Sequence, residues 1–322
     1  MKKERKNNWE PSLHFFKEGH WLNDPNGLVY YQDEYHLFYQ MNPDDIVWGN
    51  MHWGHAVSAD GLKWTHRPIA LHAEPDGLGY IFSGGGVVDK ANTAGFQEGD
   101  ITPVVLSFTH HDKNAVQRQS LAYSSDGLKT FQKYEGNPII DNPGIKDFRD
   151  PNIIWVESMN KWVMALVAGQ CAEFYSSDDL KQWTFLSKFG EGYGCHDGVW
   201  ECPDLFPLIC ATSGEIKWIL LISINPGGIN GGSGMQYFIG DFTDGVFSCK
   251  DTQTRWLDYG ADFYAAISFD NIDLGMAKRR IIAWMSNWHY ANETPSSSYR
   301  SAMTLPRDCL LYTSDAADEE ES

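Results

Sequence analysis

The sequence predicts an all-β protein, a five-bladed β-propeller, on three observations. Short runs rich in β-branched and aromatic residues fill most of the chain, and no stretch keeps a helical period for long. A polar turn ending in an aromatic residue recurs three times. Acidic or Ser-Gly strand starts recur at a near-constant interval.

The runs include Leu28-Val29-Tyr30-Tyr31, Tyr35-His36-Leu37-Phe38-Tyr39-Gln40, Trp162-Val163-Met164-Ala165-Leu166-Val167 and Trp218-Ile219-Leu220-Leu221-Ile222-Ser223. Turn residues such as Gln32-Asp33-Glu34 and Ser158-Met159-Asn160-Lys161 separate them. The recurring turn is Ser58-Ala59-Asp60-Gly61-Leu62-Lys63-Trp64, then Ser124-Ser125-Asp126-Gly127-Leu128-Lys129-Thr130-Phe131, then Ser177-Asp178-Asp179-Leu180-Lys181-Gln182-Trp183. Each follows an extended run, as a turn between the outer strands of a blade does. The strand starts are Asp24-Pro25-Asn26, Phe82-Ser83-Gly84, Asp150-Pro151-Asn152, Glu201-Cys202-Pro203-Asp204 and Ala261-Asp262-Phe263, at intervals of 59, 67, 51 and 61 residues. A four-stranded blade plus its loops fits that rhythm. Innermost strands line one central channel, so carboxylates at 24, 150 and 201 are expected to converge.

Composition narrows the function. Aromatics make up 14% of the chain, with 13 Trp; they serve either to stack on sugar rings or to pad strands, and composition does not choose. The net charge of −18 argues against a nucleic-acid partner. Part of it comes from a cluster of Asp315, Asp318, Glu319, Glu320 and Glu321 near the end. Six cysteines, at 171, 195, 202, 210, 249 and 309, form neither a C-x-x-C pair nor a zinc-like spacing with His. The polar start of the sequence is not a signal peptide as it stands, and no run approaches the roughly 20 apolar residues that span a bilayer. The expectation is a cytoplasmic protein with no membrane partner, or a secreted one if a leader has been removed.

Converging carboxylates suit glycoside hydrolysis. One carboxyl protonates the leaving oxygen, and a second either attacks the anomeric carbon or activates water. For a single Asp-Pro-Asn the competing reading is a turn in which the Asp caps backbone donors. Three acidic starts at blade rhythm weigh against it.

Trp21-Leu22-Asn23-Asp24-Pro25-Asn26-Gly27, Phe148-Arg149-Asp150-Pro151 and Trp200-Glu201-Cys202-Pro203-Asp204 resemble the three signature motifs of glycoside hydrolase family 32, which holds invertases, levanases, inulinases and sucrose-6-phosphate hydrolases. Trp48-Gly49-Asn50-Met51-His52-Trp53-Gly54-His55-Ala56, Phe82-Ser83-Gly84, Asp262-Phe263-Tyr264-Ala265 and Trp284-Met285-Ser286-Asn287-Trp288 match as well, in family order. Leu22 stands where Met is more usual. The resemblance implies Asp24 as nucleophile, Glu201 as acid and then base, and Asp150, beside Arg149, as the residue that stabilises the transition state. It places Asn23, Gln40, Trp48, Phe82, Ser83, Tyr264 and Trp284 around the fructose, and implies no metal and no cofactor. On this reading Arg149 keeps Asp150 anionic, while Asp24 and Asp150 raise the proton affinity of Glu201. Trp53 and Trp288 read equally as packing or sugar contacts. Cys202 reads as packing, with a thiol able to tune Glu201, and His52 and His55 as hydrogen-bonded residues of the fold.

The implied reaction is release of fructose, with retention, from the non-reducing end of sucrose, levan or inulin. The stretch from Ser223 to Phe238 looks like the exo-acting fructanase and invertase branch. An inverting arabinanase-type propeller is the nearest alternative, and Asn-Asp-Pro-Asn-Gly and Glu-Cys-Pro-Asp argue against it. Sialidases share the Ser-x-Asp turn, but no cluster of three substrate-binding Arg is evident. A disabled fructan-binding protein would have lost an acid, whereas all three stand; fructosyl transfer would use the same intermediate. Residues 1–13 are expected to be an extension, 14–307 the propeller, and 308–322 an acidic tail outside the family pattern. The family's C-terminal β-sandwich is expected to be missing, which leaves an apolar flank open to a homodimer contact.

Overall fold

The computed structural model describes residues 9–313. Blade 1 is β1 (Trp21–Tyr31), β2 (Glu34–Asn42), β3 (His52–Ser58) and β4 (Thr65–Leu71). In blade 2 the innermost position is split. Both β5 (Tyr80–Phe82) and β6 (Gly86–Val88) pair with β7 (Val104–His111), followed by β8 (Gln117–Ser124) and β9 (Gln132–Lys133). Blade 3 is β10 (Phe148–Val156), β11 (Lys161–Ala168), β12 (Ala172–Ser177) and β13 (Thr184–Phe189). Blade 4 is β14 (Val199–Ile209), β15 (Ile216–Asn225), β16 (Gly234–Thr243) and β17 (Val246–Cys249), with β18 (Arg255–Trp256) also on β16. Blade 5 is β19 (Tyr264–Ser268), β20 (Arg279–Trp284) and β21 (Arg307–Cys309). The innermost strands touch in a closed ring: β1 with β6, β6 with β10, β10 with β14, β14 with β19, and β19 with β1. No described helix is long and apolar enough to cross a membrane.

The near-continuous apolar runs follow from burial on both faces of each blade. Successive side chains of a strand point to opposite faces. Thus Leu37 and Tyr39 enter the layer between blades 5 and 1, while Phe38 enters the layer between blades 1 and 2. Met164 and Leu166 face blade 2, and Val163 and Ala165 face blade 4. Leu220 faces blade 3, and Ile219 and Leu221 face blade 5. The core is therefore five apolar layers, one per blade interface.

The three Ser-x-Asp turns join the third and fourth strands of blades 1, 2 and 3. In each, the Ser hydroxyl donates to the Asp carboxylate, at 3.0, 2.9 and 3.1 Å, and the same carboxylate accepts N–H groups two to four residues on. Buried polar groups stitch neighbouring blades near the axis. Gly84 N–H donates to Asn26 Oδ1, Asn152 Nδ2 to Asp204 Oδ1, and Ser268 N–H to Asp204 Oδ2. The ring closes where Leu22 N–H donates to Arg300 O and Met303 N–H to Phe15 O.

β21 lies across the expected boundary at 307/308. Asp308 takes a two-pronged ion pair from Arg280 at 2.7 and 3.0 Å, and this holds the segment on the edge of blade 5. The rest of the expected tail from 314, with its acidic cluster, and residues 1–8 of the expected extension lie outside the described residues.

Candidate active site

Local irregularity aims the acids. Every unsplit innermost strand carries a β-bulge against its neighbour: between Leu22 and Pro25 in β1, Arg149 and Asn152 in β10, Glu201 and Asp204 in β14, and Tyr264 and Ile267 in β19. In the last three, the first bulged residue is left-handed: Asp150 at φ 61°, Cys202 at 45° and Ala265 at 53°. Such a φ is costly for a residue with a Cβ. Each of these N–H groups leaves the strand ladder for a specific acceptor. Asp150 donates to Thr109 Oγ1 (2.9 Å), Cys202 to Asp150 Oδ2 (2.9 Å), and Ala265 to Ser223 Oγ (3.1 Å). Pro151 and Pro203, which have no N–H, occupy the next position, where a bulge tolerates them.

This register revises the sequence alignment of the acids. Cys202, not Glu201, is the counterpart of Asp150; Glu201 is the counterpart of Arg149 and Tyr264. The three counterparts meet. Arg149 Nη2 donates to Glu201 Oε1 at 2.9 Å, and the Tyr264 hydroxyl donates to Glu201 Oε2. In blade 5 the residue reaching the site is thus Tyr264. Asp262 is exposed and accepts from the Tyr290 hydroxyl instead.

Asp24, Asp150 and Glu201 line one cavity of about 380 Å³ with Asn23, Gln40, Trp48, Phe82, Ser83 and Arg149. Ser83 Oγ donates to Asp24 Oδ2 at 2.6 Å, while Asp24 Oδ1 and Gln40 Nε2 are buried without partners. Unpaired buried polar atoms are uncommon in a native fold, and both of these belong to residues that line the cavity. Asn23 Oδ1 accepts from Trp21 Nε1 at 2.7 Å, which fixes its amide. Trp48, 46% exposed, forms the rim with Phe82, whose ring stacks on His111 at 4.4 Å.

Trp284 is not on the cavity wall. It is fully buried among Trp21, Tyr264 and Trp288, because β20 is the second strand of blade 5 and its side chain enters the layer between blades 5 and 1. Tyr264 is also fully buried and meets the site only through its hydroxyl. Trp288 does line the cavity, and Trp53 packs beneath it with Nε1 donating to Phe82 O. The wall also holds His111, Gln117 and Asp147. Asp147 had a sequence signal, being two residues before Arg149. Gln117 and His111 had none, since the β7–β8 hairpin that delivers them carries no motif. His52 Nδ1 bonds Asn50 O, and His55 Nε2 bonds His36 Nδ1 at 3.0 Å. Among the described residues no group of three or more His, Cys, Asp or Glu is placed to hold a metal.

Electrostatics also differ from expectation. Burial pushes Asp24 up to about 6, against the Ser83 hydrogen bond that favours its carboxylate. Burial likewise pushes Asp150 up, against the attraction of Arg149. Arg149 lies 3.8 Å from Asp150 but 2.6 Å from Asp147, so its fork joins Asp147 to Glu201. The Cys202 thiol lies 3.7 and 3.6 Å from Asp24 Oδ2 and Asp150 Oδ2, so it serves those two acids and not Glu201. Burial and the surrounding anions hold it well above the ordinary thiol range, as S–H.

A model of the glycosyl hydrolases family 32 N-terminal domain matches residues 14–319. A levanase of Bacillus subtilis is 51% identical over 306 residues, covering 94% of this chain and 45% of the levanase. An invertase of Schizosaccharomyces pombe is 41% identical over 309 residues, covering 94% of this chain and 53% of its own. The chain thus spans about half the length of these curated relatives. Among solved structures, a β-fructofuranosidase from Schwanniomyces occidentalis complexed with fructosyl-erythritol superposes with a TM-score of 0.89 at 38% identity, over 95% of this chain and 60% of that one. Exo-inulinase from Aspergillus awamori gives 0.87 at 36%, over 96% and 66%. With the bulged acidic strands around one cavity and a family match across nearly its whole length, the chain belongs to glycosyl hydrolase family 32.

Proposed function

We propose that this chain carries the catalytic unit of a retaining β-fructosidase that releases fructose from sucrose and from the non-reducing ends of levan and inulin. The observation that carries the reading is Asp24: it lines a cavity shared with Glu201 and Asp150, with its Oδ2 held by Ser83 and its Oδ1 buried without a partner. In the first step the Asp24 carboxylate bonds to the fructosyl anomeric carbon as the glycosidic C–O bond breaks. Glu201 gives its proton to the departing oxygen. In the second step water attacks the same carbon, Glu201 takes the water's proton, and Asp24 leaves as carboxylate. Asp150 and Arg149 hold the sugar hydroxyls, and the surrounding anions favour the oxocarbenium-like transition state. Gln40 Nε2 and Asn23 offer further polar contacts, with Trp48 and Phe82 at the rim. The names of the relatives, levanase, invertase and exo-inulinase, support the substrate class.

Free fructose is to be measured from sucrose, inulin, levan and, as a control, arabinan, for the parent chain, Asp24→Ala and Glu201→Ala. Release from fructosides by the parent alone, with the β-configured product seen first by NMR, is the expected result. No release from any fructoside by folded parent protein, or an inverted product, would overturn the reading. For a partner we propose a second copy on the flank where Ile209, Ile216, Leu310 and Tyr312 are all exposed. Light scattering that finds only monomer at tens of micromolar removes that part.

A further inference from the structure

A second cavity, of about 310 Å³, is lined by Val88, Lys90, Trp155, Trp162, Asp270 and Asn271. These residues come from blades 2, 3 and 5, which all meet only around the propeller axis. They stand at the far ends of the innermost strands: Val88 ends β6, Trp155 is next to last in β10, and Asp270 follows β19. Asp150 and Trp155 are five residues apart on one strand, about 17 Å at the usual rise. The cavity is therefore the opposite mouth of the channel whose near mouth holds the acids.

Its chemistry is built and rigid. Trp155 and Trp162 pack edge to face, 5.2 Å apart. Their N–H groups are anchored, Trp155 to Glu157 at 2.6 Å and Trp162 to Thr93 at 2.8 Å, so both ring planes are fixed. Asp270 is held through Val88 N–H to its Oδ2 (2.9 Å), and Asn271 Nδ2 donates to Tyr30 O (2.8 Å). The Lys90 ammonium makes no hydrogen bond or ion pair among the described residues, and Asn271 Oδ1 accepts none. Aromatic walls with a few fixed polar groups, at the lower end of ligand-pocket volume, make a binding site for a small ring. One carboxylate and one ammonium disfavour a charged ligand of either sign. A half-buried indole offers an apolar face to C–H groups, while Lys90, Asp270 and Asn271 offer hydrogen bonds to hydroxyls.

We propose that this far mouth is a second carbohydrate site, which takes one neutral sugar unit of a β-fructan chain and tethers the polymer while another end is cut at the acids. The choice of fructan rests on the function proposed above; the sugar class rests on the lining alone. The site holds a single ring, so its effect is on retention of polymer and not on the chemical step.

The test is electrophoresis in gels containing levan, for Asp24→Ala protein with and without Trp155→Ala or Lys90→Ala. Lys90 is exposed, so its variant guards against a folding defect in the other. The expected result is retardation at least threefold weaker in both variants. In the otherwise unsubstituted enzyme the same changes raise KM for levan several-fold and leave kcat and KM for sucrose within twofold. Retardation of both variants equal to the parent, or no retardation of the parent at all, overturns the site. Retardation lost in the variants while the parent releases no fructose would sink the catalytic reading and leave the site standing.

Discussion

Arg149 and Glu201 occupy the same register position in adjacent blades, and the guanidinium Nη2 of one donates to Oε1 of the other at 2.9 Å. The second nitrogen, Nη1, is held by Asp147 at 2.6 Å. Asp147 therefore sets the direction of the fork that orients Glu201. Lysine has one charged point where arginine has a planar fork. Arg149→Lys should lower kcat/KM on sucrose about 100-fold, and Asp147→Asn about tenfold, with unfolding midpoints little changed. Steady-state kinetics check this, and an Arg149→Lys enzyme within threefold of the parent would show that the fork does not matter.

Acidification should switch the enzyme off through Asp24. As the proposed nucleophile Asp24 must be ionised, and burial has raised this carboxyl to about 6, so kcat/KM should fall as pH drops through about 6. Ser83 stabilises the ionised form through its hydrogen bond. Ser83→Ala should then move the acid limb to higher pH and lower the rate at pH 6 more than at pH 8. An acid limb at unchanged pH in this variant would show that Asp24 is not the group being titrated.

The Asp24 carboxylate should cost the fold stability. Its folded-state value lies above the ordinary 3.8, so the folded protein binds the proton more tightly than the unfolded one. The cost is absent below about 4 and complete above about 6. Asp24→Asn should abolish turnover and, at pH 7, stabilise the protein by as much as about 3 kcal/mol. At pH 4 the gain should vanish. Denaturant melts of parent and variant at both pH values measure it.

Buried histidines act in the opposite direction. Burial pushes His36 down to about 4, and His55 and His110 down to about 3. They remain neutral in the fold while the unfolded chain protonates them. Their contribution is full above about 6.5 and is lost as pH falls toward 4. His110→Gln should make stability less steep in pH across that window; read as variant minus parent, the difference is separate from that of Asp24. An unchanged slope would place the acid sensitivity elsewhere.

Gly84 sits where the inner strand of blade 2 is split, with the Ser107 backbone oxygen only 2.0 Å from the place a Cβ would occupy. Backbone cannot swing aside as a side chain can. Gly84→Ala should destabilise by about 1–3 kcal/mol and, by shifting Ser83, reduce activity as well. A melt and a sucrose assay test both, and a neutral variant would mean that the split strand is looser than its packing.

Much of the fold was legible because the propeller repeats itself. Blade count, the Ser-x-Asp turns and the convergence of Asp24, Asp150 and Glu201 follow from short-range patterns whose spacing is set by chain length per blade. Less legible was anything decided by one residue of register. The bulges at Asp150 and Cys202 shift which side chain points inward, so Glu201 faces Arg149 and not the counterpart of Asp150. Trp284, in a matching motif, lies in the apolar layer beneath the cavity wall, and Asp262 lies outside the cavity.

By itself, then, the sequence determined the family and the all-β class, and singled out Asp24, Asp150 and Glu201 as candidate acids, since these are written in residue types at fixed local spacings. Only the tertiary structure decided that Arg149 forks between Asp147 and Glu201, that Cys202 serves the two aspartates, and that Asp24 keeps one buried oxygen unpaired. The Arg149–Glu201 and Cys202–Asp24 contacts join residues 52 and 178 positions apart. They depend on hydrogen-bond geometry at the bulges and on the loss of water around charged groups, and neither is encoded in any one stretch of chain.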